Sequence, residues 1–379
     1  MTLFFITFFA IYSSMHLYLY RKTRAALSLN TFQLVSLIIW MLLMVFAPFI
    51  IRYSERLGFE LVAQLMSYAG YIWMGALFLF IMVSLLIDIV RMIFYLAGKL
   101  LRQDVIAIMP SATRVFSFTV IIVIFICGYG YYEAKNVRTE KISIKTSRLS
   151  NTMNSLRIVQ ISDVHLGLIV REGRLRNILK IVEQSKPDLL VSTGDLVDGQ
   201  INEIHAFSDL LKEITPAYGK FAITGNHEFY AGLDQAIDFT EKAGFTLLRG
   251  KAITIKGVMN IAGVDDRTAE RYGGLSDSDE AMLLTSLDQG LFTLLLKHRP
   301  RVNEGSIGLF DLQLSGHTHK GQIFPFSLVT AMYFPQDSGL IHIQDRSSLY
   351  VSRGTGTWGP PIRFLSPPEV TVIDIIPEK

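Results

Sequence analysis

The chain has 379 residues, 36 Lys+Arg against 33 Asp+Glu, one cysteine and 50% apolar residues, with a mean hydropathy of +0.36. That is too apolar for a wholly soluble chain, and the lone Cys127 excludes an internal disulfide or a cysteine-based zinc site. Residues 1–132 hold nine basic and four acidic side chains and the remainder 27 and 29, so the downstream part is near neutral, has no basic stripe and predicts no nucleic-acid partner.

Four apolar stretches, 2–20, 31–51, 65–87 and 115–131, approach or reach the roughly 20 residues that cross about 30 Å of hydrocarbon. Four in succession with almost no charge predict a four-helix transmembrane region over 1–132 rather than buried soluble helices. Tyr129, Tyr131 and Tyr132 suit an interfacial aromatic belt at the end of the fourth. The first has no positive leading region and no small-residue cleavage site, so it reads as a retained helix and not a signal peptide. Arg21, Lys22 and Arg24 follow the first stretch and Arg91, Lys99, Arg102 and Arg114 the third, against Arg52 and Arg56 between the second and third. This bias predicts a multi-pass cell membrane protein with its downstream domain extracytoplasmic, although Lys135, Arg138, Lys141, Lys145 and Arg148 pull the other way. Asp88 with Arg91 reads as an interfacial salt bridge, and His16 as a packed or interfacial histidine.

Residues 133–154 are polar and mixed, a linker or first edge strand. From 155 to 379 the chain reads as one domain. Strand-like runs at 156–161, 188–192 and 220–224 alternate with helical spacing at 171–185, 207–214 and 233–243, the periods of βαβ units. Further strand-like runs follow at 252–255, 260–264, 291–296, 311–314, 339–343, 348–351 and 370–376.

Polar side chains able to hold metal sit where these strands end, the side of an open α/β sheet where ligands bind. The first strand runs into Ser162-Asp163-Val164-His165, the second into Gly194-Asp195-Leu196-Val197-Asp198, and the third into Gly225-Asn226-His227-Glu228. Later strands deliver His298 and Gly316-His317-Thr318-His319, so five of the eight histidines fall at strand ends. An imidazole-rich site with carboxylates suits Zn, Fe or Mn, and an aspartate can bridge two ions about 3.5–4 Å apart. His317 and His319 would point to opposite sides of a regular strand, so a turn after Gly316 must let them address two ions separately.

These blocks, D-x-H, GD-x-x-D, GNH-E, H and GH-x-H, resemble the calcineurin-like metallophosphoesterase superfamily from about residue 156 onward. The resemblance implies an α/β fold, a four-layer α-β-β-α sandwich, with a dinuclear centre of two divalent metal ions. It places Asp163, His165, His319 and a bridging Asp195 on one ion, and Asp195, Asn226, His298 and His317 on the other. It also makes His227 and Asn226 the catalytic candidates: His227 would sit over the phosphate and donate to the leaving oxygen or stabilise the charge developing there, with a metal-bound hydroxide attacking phosphorus in line. Asp198 would orient a ligand or the strand exit.

Asp198 is followed by Gly199 and Gln200, not by the Arg-Gly of the protein serine/threonine phosphatases, which argues against a phosphoprotein substrate. The runs 316–322 and 353–359 are similar to membrane-anchored bacterial-type phosphodiesterases of the superfamily. That likeness favours a phosphodiesterase or pyrophosphatase acting on a membrane-associated or lipid-linked phosphoester. Arg353 and Arg363 are candidates for holding substrate phosphate, with surface salt bridges as the alternative. Trp358 is a candidate lip for a lipid or nucleobase, or a turn that simply packs. A phosphomonoesterase and a non-catalytic membrane sensor are the competing functions, and nothing in the sequence fixes the metal, the substrate or the oligomeric state.

Overall fold

The computed structural model describes residues 2–104, 109–149, 153–199, 205–255, 257–272 and 277–378. Residues 150–152 of the expected linker and Gln200 lie outside the described residues. The chain divides into two compact units, Met1–Tyr132 with Gly359–Ile362, and Glu133–Trp358 with Arg363–Lys379.

The first unit is built of α1 (Thr2–Ala26), α2 (Thr31–Arg56), α3 (Glu60–Leu100) and most of α4 (Ala112–Lys135). A capping box starts α2: Asn30 accepts from the Gln33 N–H at 2.9 Å while Gln33 accepts from the Asn30 N–H at 3.0 Å. Where four spans were expected, three helices among the described residues, α2, α3 and α4, are long and apolar enough to cross a membrane. The stretch 2–20 is helical, but α1 carries His16 and several tyrosines and runs on into Arg21, Lys22 and Arg24, which dilute its hydropathy. Helix α3 extends well past the apolar stretch 65–87 to a length of 41 residues. At 1.5 Å per residue that is about 60 Å, roughly twice the hydrocarbon thickness.

Small side chains let α2 and α3 approach. Ala47, Ala63 and Ser67 are fully buried, and a Cβ on Gly70 would come within 2.8 Å of the Ala47 Cβ, the close packing by which apolar helices associate in lipid. The expected Asp88–Arg91 pair is replaced by a partner from another helix: Lys22 lies 2.6 Å from the Asp88 carboxylate, and Tyr18 Oη donates to it at 2.7 Å. His16 is packed, its Nε2 accepting from Trp73 Nε1 at 2.9 Å and its Nδ1 lying 2.8 Å from the Tyr12 carbonyl.

The second unit holds two mixed six-stranded sheets. The first contains β1 (Arg138–Thr146), β2 (Leu156–Ile161), β3 (Leu189–Ser192), β4 (Lys220–Ala222), β5 (Thr246–Leu247) and β12 (Glu369–Pro377), in the order β1-β12-β2-β3-β4-β5. The second contains β6 (Lys251–Ile255), β7 (Met259–Gly263), β8 (Phe292–Leu296), β9 (Leu312–Ser315), β10 (Gly339–Gln344) and β11 (Ser347–Val351), in the order β10-β11-β9-β8-β7-β6. The segment after α4 is thus an edge strand, pairing in parallel with β12 from Arg138↔Glu369 to Thr146↔Pro377.

Alternation along the strands makes the core. Phe292, Leu294 and Leu296 of β8 meet Ile158, Val191 and Ile373 of the first sheet in one buried layer between the sheets. Leu295, on the opposite face of β8, packs with Leu284 of α9 (Asp277–Thr285). Helix α5 (Glu172–Gln184) buries Leu175, Ile178, Leu179 and Val182, a stripe at helical spacing, on the first sheet's side, followed by α6 (His205–Lys212) and α8 (Leu233–Lys242), which pack on one another. Strands β2, β3 and β4 run parallel to one another, as do β8 and β9, so within each set the chain leaves at the same edge.

Candidate metal centre

Each strand exit is shaped to turn a ligand-type side chain inward. Asp163, His165, Asp195, His317 and His319 all adopt positive φ, between 49° and 72°, a conformation disfavoured for residues with a Cβ and held here by surrounding bonds. The His165 N–H donates to the Asp195 carbonyl at 3.0 Å and the His317 N–H to Asp163 Oδ1 at 3.0 Å. Glycines of the motifs admit no side chain: a Cβ on Gly316 would overlap Ser162 Oγ and Asp163 Oδ2, and one on Gly225 would overlap Asp195 Oδ1. Asn226, His227 and Glu228 sit in the first turn of α7 (Asn226–Ala231).

Three clusters of ligand atoms result: Asp163, His165 and His319; His165, Asp195 and His227; and Asp195, His298 and His317. His317 and His319 fall into different clusters, and Asp195 belongs to two of the three. Two pairs of ring nitrogens face one another across 3.1 Å, His165 Nε2 with His319 Nε2 and His298 Nε2 with His317 Nδ1. His298 Nδ1 lies 2.8 Å from the Thr193 carbonyl, which accepts only, so that nitrogen carries the hydrogen and Nε2 is left to face Asp195 Oδ2 at 3.3 Å. Asn226 Oδ1 is buried and makes no hydrogen bond among the described residues. Facing imidazole nitrogens, buried carboxylates and an orphaned amide oxygen are the donor set that a divalent cation satisfies. The residues present therefore fit metal.

The charges are strongly coupled. Burial pushes Asp195 up, but His298, His227 and His165 outweigh it and hold the carboxylate well below its ordinary range. Burial pushes His298 down, yet Asp195, Asp163 and Asp266 raise it to about 10. His227 is raised to about 9, burial being overcome by Asp195, Asp198 and Glu228. His319 goes far down, through burial and the Arg363 charge, and stays neutral, the form in which a ring nitrogen can ligate. His227 Nδ1 lies 2.9 Å from Asp198 Oδ1, which also approaches His165 Nδ1 at 3.5 Å. Asp198 thus orients two site histidines at once.

Two sequence candidates lie elsewhere in the network. Arg363 is fully buried, its guanidinium donating to the carbonyls of Gly356, His319 and Arg353 and lying 3.0 Å from His319 Nδ1. Arg353 is bound to Glu369 and, at 2.7 Å, to Glu140. Arg363 is thus engaged by loop carbonyls and Arg353 by carboxylates of β1 and β12. Trp358 is 55% exposed, its ring centroid 5.8 Å from that of His227, and Tyr230 flanks the same imidazole at 5.5 Å.

Glu228 was not singled out from the sequence beyond its place in the motif. Its buried carboxylate accepts from the N–H groups of Gly225 at 2.6 Å, Leu196 at 2.7 Å, Asp195 at 3.0 Å and Val197 at 3.3 Å. It thereby locks the β3 exit to α7. Tyr230 also went unnoticed, though its position one helical turn after His227 was a usable signal.

Residues 156–321 match the family model for calcineurin-like phosphoesterases. A chain of Aquifex aeolicus named an uncharacterized metallophosphoesterase is 40% identical over 255 residues, 67% of this chain and 97% of that one. An uncharacterized metallophosphoesterase of Campylobacter jejuni is 31% identical over 291 residues, 76% of each chain. A transmembrane protein with metallophosphoesterase domain from Danio rerio is 30% identical over 292 residues, 73% of this chain and 67% of that one.

Proposed function

The chain belongs to the calcineurin-like phosphoesterase family, and on that premise we propose that its second unit is a metal-dependent phosphodiesterase or pyrophosphatase acting on membrane-associated or lipid-linked phosphoesters. The observation that carries this reading is the set of three ligand clusters, linked to one another through His165 and Asp195, together with the orphaned Asn226 Oδ1. Asp163, His165, His319 and Asp195 would hold one divalent ion and Asp195, Asn226, His298 and His317 a second. Such ions, when bound, supply Lewis-acid stabilisation of phosphoryl oxygens and lower the pKa of water.

The chain's own residues do the rest. His227, its Nδ1 2.9 Å from Asp198 Oδ1, donates to the leaving oxygen. Glu228 fixes the backbone that carries Asp195 and Asn226. The Trp358 and Tyr230 rings beside His227 offer a face to an apolar or aromatic substrate arm.

The three apolar helices make the chain a multi-pass membrane protein in this reading, and the basic residues at the end of α1 favour a second unit outside the cytoplasm, against the pull of Lys135, Arg138, Lys141, Lys145 and Arg148. Counting three spans instead of four leaves that orientation unchanged, because the count starts from the same basic segment, Arg21 to Arg24. Membrane tethering raises the local concentration of lipid-borne substrates, which is why they are favoured.

The test is hydrolysis by the purified full chain of a chromogenic phosphodiester and the matching monoester, with Mn²⁺ and with chelator. Metal-dependent turnover preferring the diester supports the proposal, and preference for the monoester replaces it with a phosphomonoesterase. Absence of turnover in protein shown to contain metal, on these and on lipid-linked diphosphates, would leave a sensor.

A further inference from the structure

Helix α10 (Phe326–Tyr333) contains no charged residue and no buried one. Leu328, Val329, Met332 and Tyr333 stand open to the surroundings, Met332 at 81%. Leu340 of β10 is also exposed. Scattered single apolar residues need no explanation, but an uncharged helix exposing most of its side chains does.

The helix is anchored at the metal centre. It directly follows the segment that carries His317 and His319, and Phe334 at its end packs its ring 5.4 Å from that of His317. Arg301 lies over Phe334 at 5.7 Å. Gln322, ahead of the helix, exchanges two hydrogen bonds of 2.9 Å with the backbone of Trp358, so the exposed Trp358 belongs to the same rigid assembly. Apolar and aromatic side chains edged by a basic residue form the composition that settles at a lipid–water interface.

A bilayer is the partner this unit can never leave. The last turn of α4, the helix read above as its final span, is part of the second unit: Glu133 pairs with Arg138 of β1 at 3.0 Å, and the Ala134 carbonyl accepts from Arg174 at 2.8 Å. Only residues 136–137 separate that helix from the sheet.

We infer that α10 is a membrane-docking helix, its apolar side chains seated in the outer part of the lipid bilayer beside the metal centre. The inference goes beyond the proposed activity and rests on the reading of α2, α3 and α4 as membrane spans.

The test uses the full chain in nanodiscs of phosphatidylcholine and phosphatidylglycerol. Cys127, the single cysteine, is replaced by alanine, and an NBD fluorophore is attached at Met332→Cys or, for comparison, at Lys180→Cys on α5. The expected result is blue-shifted emission at 332 that is quenched by lipids bearing a nitroxide high on the acyl chain, with neither effect at 180. Adding Leu328→Glu to the 332-labelled protein is expected to cut that quenching about threefold or more, since a charge on the apolar face opposes insertion. Water-like, unquenched emission at 332 in correctly assembled nanodiscs overturns the inference. Quenching only by a nitroxide on a second copy of the chain also overturns it, and assigns the face to self-association.

Discussion

The two units treat the same apolar side chains in opposite ways. In the first, Phe32, Leu61 and Leu100 are exposed while Ala47, Ala63 and Ser67 are buried. In the second, Leu294, Leu312 and Ile373 are buried with Asp163, Asp195 and His298. Lipid rewards large apolar side chains on the outside and small ones at helix contacts. Water rewards the reverse, and lets the interior enclose charges only where they are paired or ligating. Precision is therefore concentrated in the second unit, where a change of one atom alters chemistry.

The largest expected effect is at His227. His227→Ala should lower kcat by about 10²–10⁴-fold with metal content unchanged, measured by steady-state kinetics alongside elemental analysis. An unchanged kcat would remove the proton-donor role. Next in size is a matched pair of truncations. Leu294→Ala, in the layer between the sheets, should cost about 2–5 kcal/mol. Leu42→Ala, on an exposed face of α2, should cost under about 0.5 kcal/mol. Equal losses on denaturation in one detergent would erase the contrast between the units.

Asp198→Asn should lower turnover or metal affinity by about 10–100-fold, because it orients His227 and His165 without facing the reaction. The smallest effect is a pH slope. Burial lowers Lys220 to about 8, where it donates to the Leu211 and Ala243 carbonyls. Below pH 8 both folded and unfolded chains hold that proton and the cost of burying the charge is complete. Between about 8 and the ordinary lysine value near 10.4 the folded state releases it first, so stability rises with pH. Lys220→Met should flatten the melting temperature across that window relative to the wild type.

Much of the second unit was legible because β-branched runs and strand-end polar residues are local signals. The run 156–161 is β2 itself, and of the histidines that follow strands His298 and His317 share one ligand cluster while His319 falls in another. What was hidden depends on partners distant in sequence. Asp88 looked toward Arg91, but its cation, Lys22, comes from a helix 66 residues upstream. For Arg353 and Arg363 the choice between phosphate and salt bridge stayed open because Glu140, Glu369 and the loop carbonyls that meet them carry no local mark. Glu228 reads like any helical glutamate until the N–H groups of 195–197 arrive beside it. Helix α10 was missed because a short uncharged run with six apolar residues in eight resembles a buried strand as much as an exposed helix.

The left-handed backbone at Asp163, His165, Asp195, His317 and His319 bears on how this chain would respond to selection for heat resistance. Each such residue sits in a conformation about 1–2 kcal/mol above the right-handed alternative, and glycine would occupy it without that cost. A screen for melting temperature alone would thus be drawn to these five positions and would dismantle the centre while improving the fold. Directed evolution of this protein needs turnover as a co-selected trait, since thermostability here points away from function.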